Sequence, residues 1–261
     1  MPQRRLHSTY DQARIQQGPH DVRPDEDFAV AFLRQAEMGE GWLHPDSSNY
    51  TFVVQLALDG QCGFGVYKPR SGEAPLWDFP SGTLYKRECA AFELARLLRW
   101  PVVPPTVVRE GEVGVGSLQL YVPPAPDSNY FTLRETHRED AVRMAVFDIV
   151  ANNADRKGGH FFAGSDGGVW GIDHGLTFNV AHKLRTVIWD FSGEHVPQPL
   201  LAELCCLLEA LERDGRAALG ALNDLLAPEE LTALGSRLGG LIADPVLPSP
   251  YSRRDLPWPW L

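Results

Sequence analysis

Cysteine is scarce in this chain of 261 residues. Cys62, Cys89, Cys205 and Cys206 form no C-x-x-C pair and stand beside no histidines at metal-ligand spacing. Neither a disulfide framework nor a structural zinc site is expected, and a reducing cytoplasm is the expected compartment. Lysine is as rare as cysteine, four against twenty arginines, which fits a GC-rich genome and carries no chemical signal. No run of about eighteen apolar residues is present. The opening MPQRRLHSTYDQARIQQ lacks the apolar stretch of a secretory leader. Positive charge is outnumbered too: the net charge is -10 and the pI about 5.3. That balance excludes a protein that coats nucleic acid, and no stable membrane insertion is expected.

What is present suffices for a full core, since 44% of the residues are apolar. The first 25 or so are polar and read as a loosely ordered arm. FAVAFLRQAEMG has the spacing of a short amphipathic helix. NYTFVVQLALDGQCGFGVYKPR is two β-rich runs split by Asp59-Gly60, a hairpin signal. TLYKRECAAFELARLLRW is helical and stops before Pro101, and TVVREGEVGVGSLQLYV predicts a hairpin turning at Glu110-Gly111. After the proline-rich PPAPDSN the pattern changes. REDAVRMAVFDIVANN is helical, FFAGSDGGVWGID is a tight hairpin around Asp166-Gly167-Gly168, and PQPLLAELCCLLEALERDG and APEELTALGSRLGGLIADP are helices. The sum is an α+β chain: an arm over 1–25, a β-rich N-terminal lobe over 26–122 and a mostly helical C-terminal lobe over 123–261.

Four side chains stand out along that order. Lys68 closes a strand, where an ammonium can meet nucleotide phosphates. Glu88 lies early in the next helix and is placed to pair with it, against the alternative of a solvated helix face. Asp155, in DIVANNADRKGGHFF, follows a helix. A carboxylate there can orient and deprotonate an attacking hydroxyl, and the competing reading is an Asx-rich helix stop. Asp173 follows the second hairpin, where a carboxylate suits a divalent cation on phosphates. Asn152, Asn153 and Arg156 read as the residues that hold the loop. PDSSNYTF sets Ser47, Ser48 and Asn49 at the opening of the first hairpin, where backbone N–H groups can cradle phosphate oxygens, although it lacks the glycines of a phosphate loop.

The order lysine, glutamate, aspartate, aspartate is a kinase order. The blocks SSNYTF with GVYKP, GSLQLYV, DIVANNADR and GIDHGLTF resemble the phosphatidylinositol 3-/4-kinase-like superfamily, especially type II phosphatidylinositol 4-kinases and their bacterial relatives. The resemblance spans roughly residues 45 to 190. It implies a two-lobed protein-kinase-like fold and an ATP site between the lobes. Ser47, Ser48, Asn49 and Lys68 would contact phosphates, with Glu88 paired to Lys68. Gln119, Tyr121 and Val122 would form the adenine-binding hinge, Asp155 would be the catalytic acid, and Asp173 would hold Mg²⁺ or Mn²⁺.

His160 departs from that pattern, standing where an asparagine is usual: it is placed as a second metal ligand for a softer ion than Mg²⁺, against the alternatives that the second metal is absent or that His160 binds phosphate as a cation. His174 stands where another asparagine is usual. The acceptor is left open as a lipid head group, a small molecule or a protein hydroxyl, with His182, Lys183 and Arg185 near the expected γ-phosphate. Two alternatives stand beside this reading. One is a nucleotide-binding pseudokinase scaffold. The other is a metallohydrolase using His160, Asp173, His174 and His137.

Overall fold

The computed structural model describes residues 6–7, 10–24, 27–45, 47 and 49–261. They form two compact units, Met1–Cys89 with Pro104–Pro123, and Ala90–Val103 with Pro124–Leu261. The chain is α+β, with an antiparallel-sheet-rich N-terminal part and a helical C-terminal part. The division runs through a helix instead of falling at 122, because Ala90–Val103 belongs to the second unit.

The first unit is built on β1 (Leu6–His7), α1 (Gln12–Gln17), α2 (Asp27–Gln35), β2 (Glu37–Leu43), β3 (Phe52–Leu58), β4 (Gln61–Pro69), the start of α3 (Leu84–Leu97), β5 (Thr106–Gly111) and β6 (Gly114–Leu120). The strands form one sheet in the order β1-β2-β3-β4-β6-β5, antiparallel except for β1 on β2. Alternate residues of β3 serve opposite faces. Val54 and Leu56 pack under Phe32 and Leu33 of α2, while Val53 joins Ile15 of α1, Trp42 and Phe64. Both faces being covered, FVVQLAL reads as a nearly continuous apolar run. Asp59 and Gly60 both take positive φ, 49° and 83°, the left-handed pair that a two-residue hairpin turn requires.

Three expectations are corrected here. Residues before 26 include a helix whose Ile15 is fully buried, and Val22 is buried as well, so two apolar side chains among polar neighbours dock the segment. The helix expected over 28–39 stops at Gln35. Arg109 of β5 donates to the carbonyls of Leu33 and Ala36, capping the helix end, and Glu37 begins β2. The β5–β6 turn lies at Glu112-Val113 between the paired Gly111 and Gly114, the latter at φ 110°.

The second unit contains the remainder of α3, α4 (Tyr130–Leu133), α5 (Arg138–Ala151), the hairpin β7 (Phe161–Ala163) and β8 (Val169–Gly171), α6 (Gln198–Asp214), α7 (Leu222–Leu225) and α8 (Pro228–Ala243). Helix α5 is apolar on nearly every side: Ala141, Val142, Met144, Ala145, Val146, Phe147, Val150 and Ala151 are all buried. It therefore runs through the core of its unit instead of along the surface. Helix α8 packs against α5 and α6. Among the described residues no helix is long and apolar enough to cross a membrane.

Candidate active site

In the first unit Lys68 lies on β4 opposite Ser117, one residue before Pro69. Its ammonium meets Glu88 Oε1 of α3 at 2.5 Å. The Glu88 side chain is 4% exposed and that of Lys68 24%. A buried carboxylate in contact with an ammonium holds the lysine extended, and losing either partner of such a pair costs about 3–5 kcal/mol. The strands approach closely beside it, since a Cβ on Gly116 would lie 2.3 Å from the Lys68 carbonyl oxygen.

The other first-unit candidates are placed as follows. Asn49 accepts the Ala74 N–H at 2.7 Å, so its side chain braces the loop after β4. Ser47 sits in the β2–β3 connection, and Ser48 lies outside the described residues. The Gln119 carboxamide donates to Thr106 Oγ1 at 2.9 Å, a cross-strand bond that occupies it within the sheet. Tyr121 stacks on His20 and meets Phe64 edge-on, and burial pushes its hydroxyl pKa up to about 12. Val122 is buried.

The second unit assembles the loop after α5. Asn152 ends that helix in the left-handed conformation, φ 54°, which asparagine tolerates better than other non-glycine residues. Its side chain then makes three bonds: Nδ2 donates to the carbonyls of Asn179 and Ala181, and Oδ1 accepts the Lys183 N–H. Asn153 bridges inward, donating to Asp148 Oδ1 and accepting the Asp155 N–H at 3.0 Å.

Arg156 is the hub. It is fully buried, and all five of its N–H groups are used. Two go to Asp148 in a bidentate pair at 2.9 Å, one each to the carbonyls of His160 and Ile172, and one to His174 Nε2 at 2.7 Å. A guanidinium only donates, so His174 Nε2 accepts and its proton sits on Nδ1. Arg156 thereby fixes the Asp155 loop against the end of the β7–β8 hairpin.

That hairpin sets His160 and Asp173 opposite one another, with the Ile172 N–H donating to the His160 carbonyl. His160 Nδ1–H donates to the Asp155 carbonyl at 3.2 Å, leaving Nε2 3.3 Å from Asp173 Oδ2. Asp173 itself has φ 60°, and its side chain is 46% exposed. The Asp155 carboxyl lies 3.1 Å from Lys157 Nζ. Its pKa is raised above the ordinary carboxylate value, first by burial, with the Asp173 charge adding and Lys157 opposing. The charge of the half-exposed Asp173 thus bears on the partly buried Asp155 carboxyl.

Lys68 and Glu88 thus meet in one unit, and Asp155, His160 and Asp173 meet in the other. Sequence reasoning passed over Asp148, which sits inside an apolar helical run and shows itself only through its spacing to Asn153 and Arg156. His174 also takes a different place from the metal set in which it was grouped. It lies against Phe147 and Arg156, and among the described residues no group of three or more His, Cys, Asp or Glu is arranged to hold a metal ion. Asp173 and His160 supply two donors, which suits a divalent ion that takes most of its ligands from phosphate oxygens and water.

No family model matches the chain. It resembles several solved structures: hydra Fam20 with sugar (TM-score 0.49, 16% identity, 87% of this chain and 92% of that one), the Golgi casein kinase (0.49, 17%, 82% and 74%) and the Helicobacter pylori proinflammatory kinase CtkA (0.48, 10%, 82% and 94%). Protein Rv2133c of Mycobacterium tuberculosis is 39% identical over 248 residues, covering 82% of this chain and 88% of that protein. At that identity and coverage, this chain belongs to the family of Rv2133c.

Proposed function

We propose that this protein is an ATP-dependent phosphotransferase of the phosphatidylinositol 3-/4-kinase-like type, with a hydroxyl-bearing acceptor. The observation that carries the reading is the loop that Arg156 and Asn153 hold rigid, with Asp155 on it and Asp173 beside it. Lys68, kept extended by Glu88, binds phosphate oxygens as a fixed point charge. Ionised Asp155 accepts the proton of the acceptor hydroxyl as its oxygen bonds to the γ-phosphorus, and ADP departs. Asp173, with His160 beside it, would hold Mg²⁺ or Mn²⁺, which neutralises charge on the phosphates. Burial keeps water from competing for the Asp155 carboxylate, and Lys157 favours its ionised form.

His160 supports a second reading. When its Nε2 is protonated it pairs with Asp173 and ties up the carboxylate that a cation needs, which favours a scaffold that holds nucleotide without turning it over. Thermal shift and γ-labelled ATP separate the two. The phosphotransferase reading expects ATP with Mg²⁺ or Mn²⁺ to raise the melting temperature and labelled phosphate to leave ATP, with the cation-dependent part of the shift lost in Asp173→Ala. Stabilisation without any turnover, under either cation, rejects it in favour of the scaffold.

A further inference from the structure

In the first unit, the chain's own N-terminal segment covers part of the sheet face on which Lys68 stands. Side chains of β4 alternate: Tyr67 is buried with α2, whereas Phe64 is buried with Ile15 of α1. Phe64, Val66 and Lys68 therefore share the α1 face. Four residues of strand separate Phe64 from Lys68, about 13 Å, a span comparable to an extended nucleotide. Val53 pairs directly with Val66 and is buried in the cluster of Ile15, Trp42 and Phe64. Just after β6, Tyr121 packs against the same cluster and its ring stacks on His20, with centroids 5.8 Å apart and planes at 27°. His20 Nε2–H donates to the Ile15 carbonyl at 3.0 Å, and the Asp21 N–H to the Cys62 carbonyl at 3.0 Å. An aliphatic floor and an aromatic ring are what a purine stacks on. Here Ile15 and His20 already occupy both.

The hold is of a kind that a ligand can displace. Helix α1 has six residues, too few to persist alone in water, and Ile15 is its only buried side chain. Arg14, half exposed, adds a cation–π contact with Trp42 at 4.9 Å and an ion pair with Glu40 at 2.9 Å, both weak at an exposed site. We propose that residues 10–22 form a strap that competes with the nucleotide base. With Ile15 on Val53 and His20 on Tyr121 the Lys68 face is closed to adenine, and ATP binds as α1 lifts. The inference rests on the phosphotransferase reading, in which Lys68 meets the phosphates and Tyr121 and Val122 the adenine. Apparent affinity for ATP then scales with the fraction of molecules in which the strap is lifted.

Two measurements on the full chain test this. Calorimetric titration with ATP and Mg²⁺ or Mn²⁺ is expected to give about tenfold tighter binding for Ile15→Asp, which unseats α1. Arg14→Ala, which removes a half-exposed side chain and leaves the core intact, is expected to tighten binding about threefold. Hydrogen exchange in the wild type is expected to quicken over residues 12–18 when ATP and the cation are added, as the strap lifts. ATP binding that neither variant tightens, or exchange over 12–18 that slows or stays unchanged with ATP, overturns the strap and leaves the phosphotransferase reading standing. Absence of ATP binding in the wild type and in both variants overturns the two together.

Discussion

Asp155 carries the heaviest demand of any single side chain here, and its environment makes two signed predictions. Its native pKa lies above that of the unfolded chain, so the folded protein holds the proton more tightly and ionisation costs stability above the native pKa. Asp155→Asn, uncharged and of the same shape, should therefore raise the melting temperature at pH 7 while removing activity. A melting temperature that falls would mean that the carboxylate is stabilising where it sits. Lys157 works in the opposite sense, pulling the Asp155 pKa down. Lys157→Met should shift the acidic limb of the rate profile to higher pH, and a limb that stays in place or moves down would deny Asp155 the role of base. The carboxylate and the loop residues Asn152, Asn153 and Arg156 were legible in the chain as written, because a polar cluster ending an apolar helix is conspicuous, whereas Lys157 was passed over. The direction of the pKa shift was not, since it comes from burial that only the folded loop creates.

At the scale of elements, the loop is held by residues whose chemistry is buried with it. Asp148 and Arg156 are both fully buried and pair in two parallel bonds. Asp148→Ala leaves the guanidinium uncompensated, and chemical denaturation should show a loss of about 3–5 kcal/mol. A loss below about 1 kcal/mol, the size of an exposed pair, would mean that solvent reaches the loop. Asn152→Ala should cost about 2–4 kcal/mol, combining a left-handed conformation that alanine resists with three lost side-chain bonds. Asn152→Gly restores the backbone freedom alone and should recover part of that loss.

Other elements divide by how local their cause is. Asp59-Gly60 announced its hairpin because the turn needs left-handed residues wherever it occurs. Strand β2 gave no such sign. EMGEGWL holds two glycines and reads as a helix tail, yet its strand is imposed by β3, and a Cβ at Gly41 would lie 2.6 Å from Leu6 Cδ2 and 2.7 Å from Val54 Cγ1. Tertiary pairing overrode propensity there. Asp148 escaped notice for the converse reason: a helix that is buried all round hides the one position where its polarity is paired.

For the whole molecule, the question is whether two clusters in two compact units serve one reaction. Lys68 with Glu88 belongs to the sheet-rich unit, and Asp155 with His160 and Asp173 to the helical one. Substitutions in each should therefore separate binding from chemistry. Lys68→Met is expected to weaken ATP binding and turnover together, whereas Asp155→Asn is expected to spare binding. The most direct test of the account is turnover of γ-labelled ATP by the purified protein with Mg²⁺ or Mn²⁺, wild type beside Asp155→Asn, at matched nucleotide occupancy. The account predicts transfer by the wild type and a fall of about 10²- to 10⁴-fold in the variant; equal rates in the two proteins would contradict it.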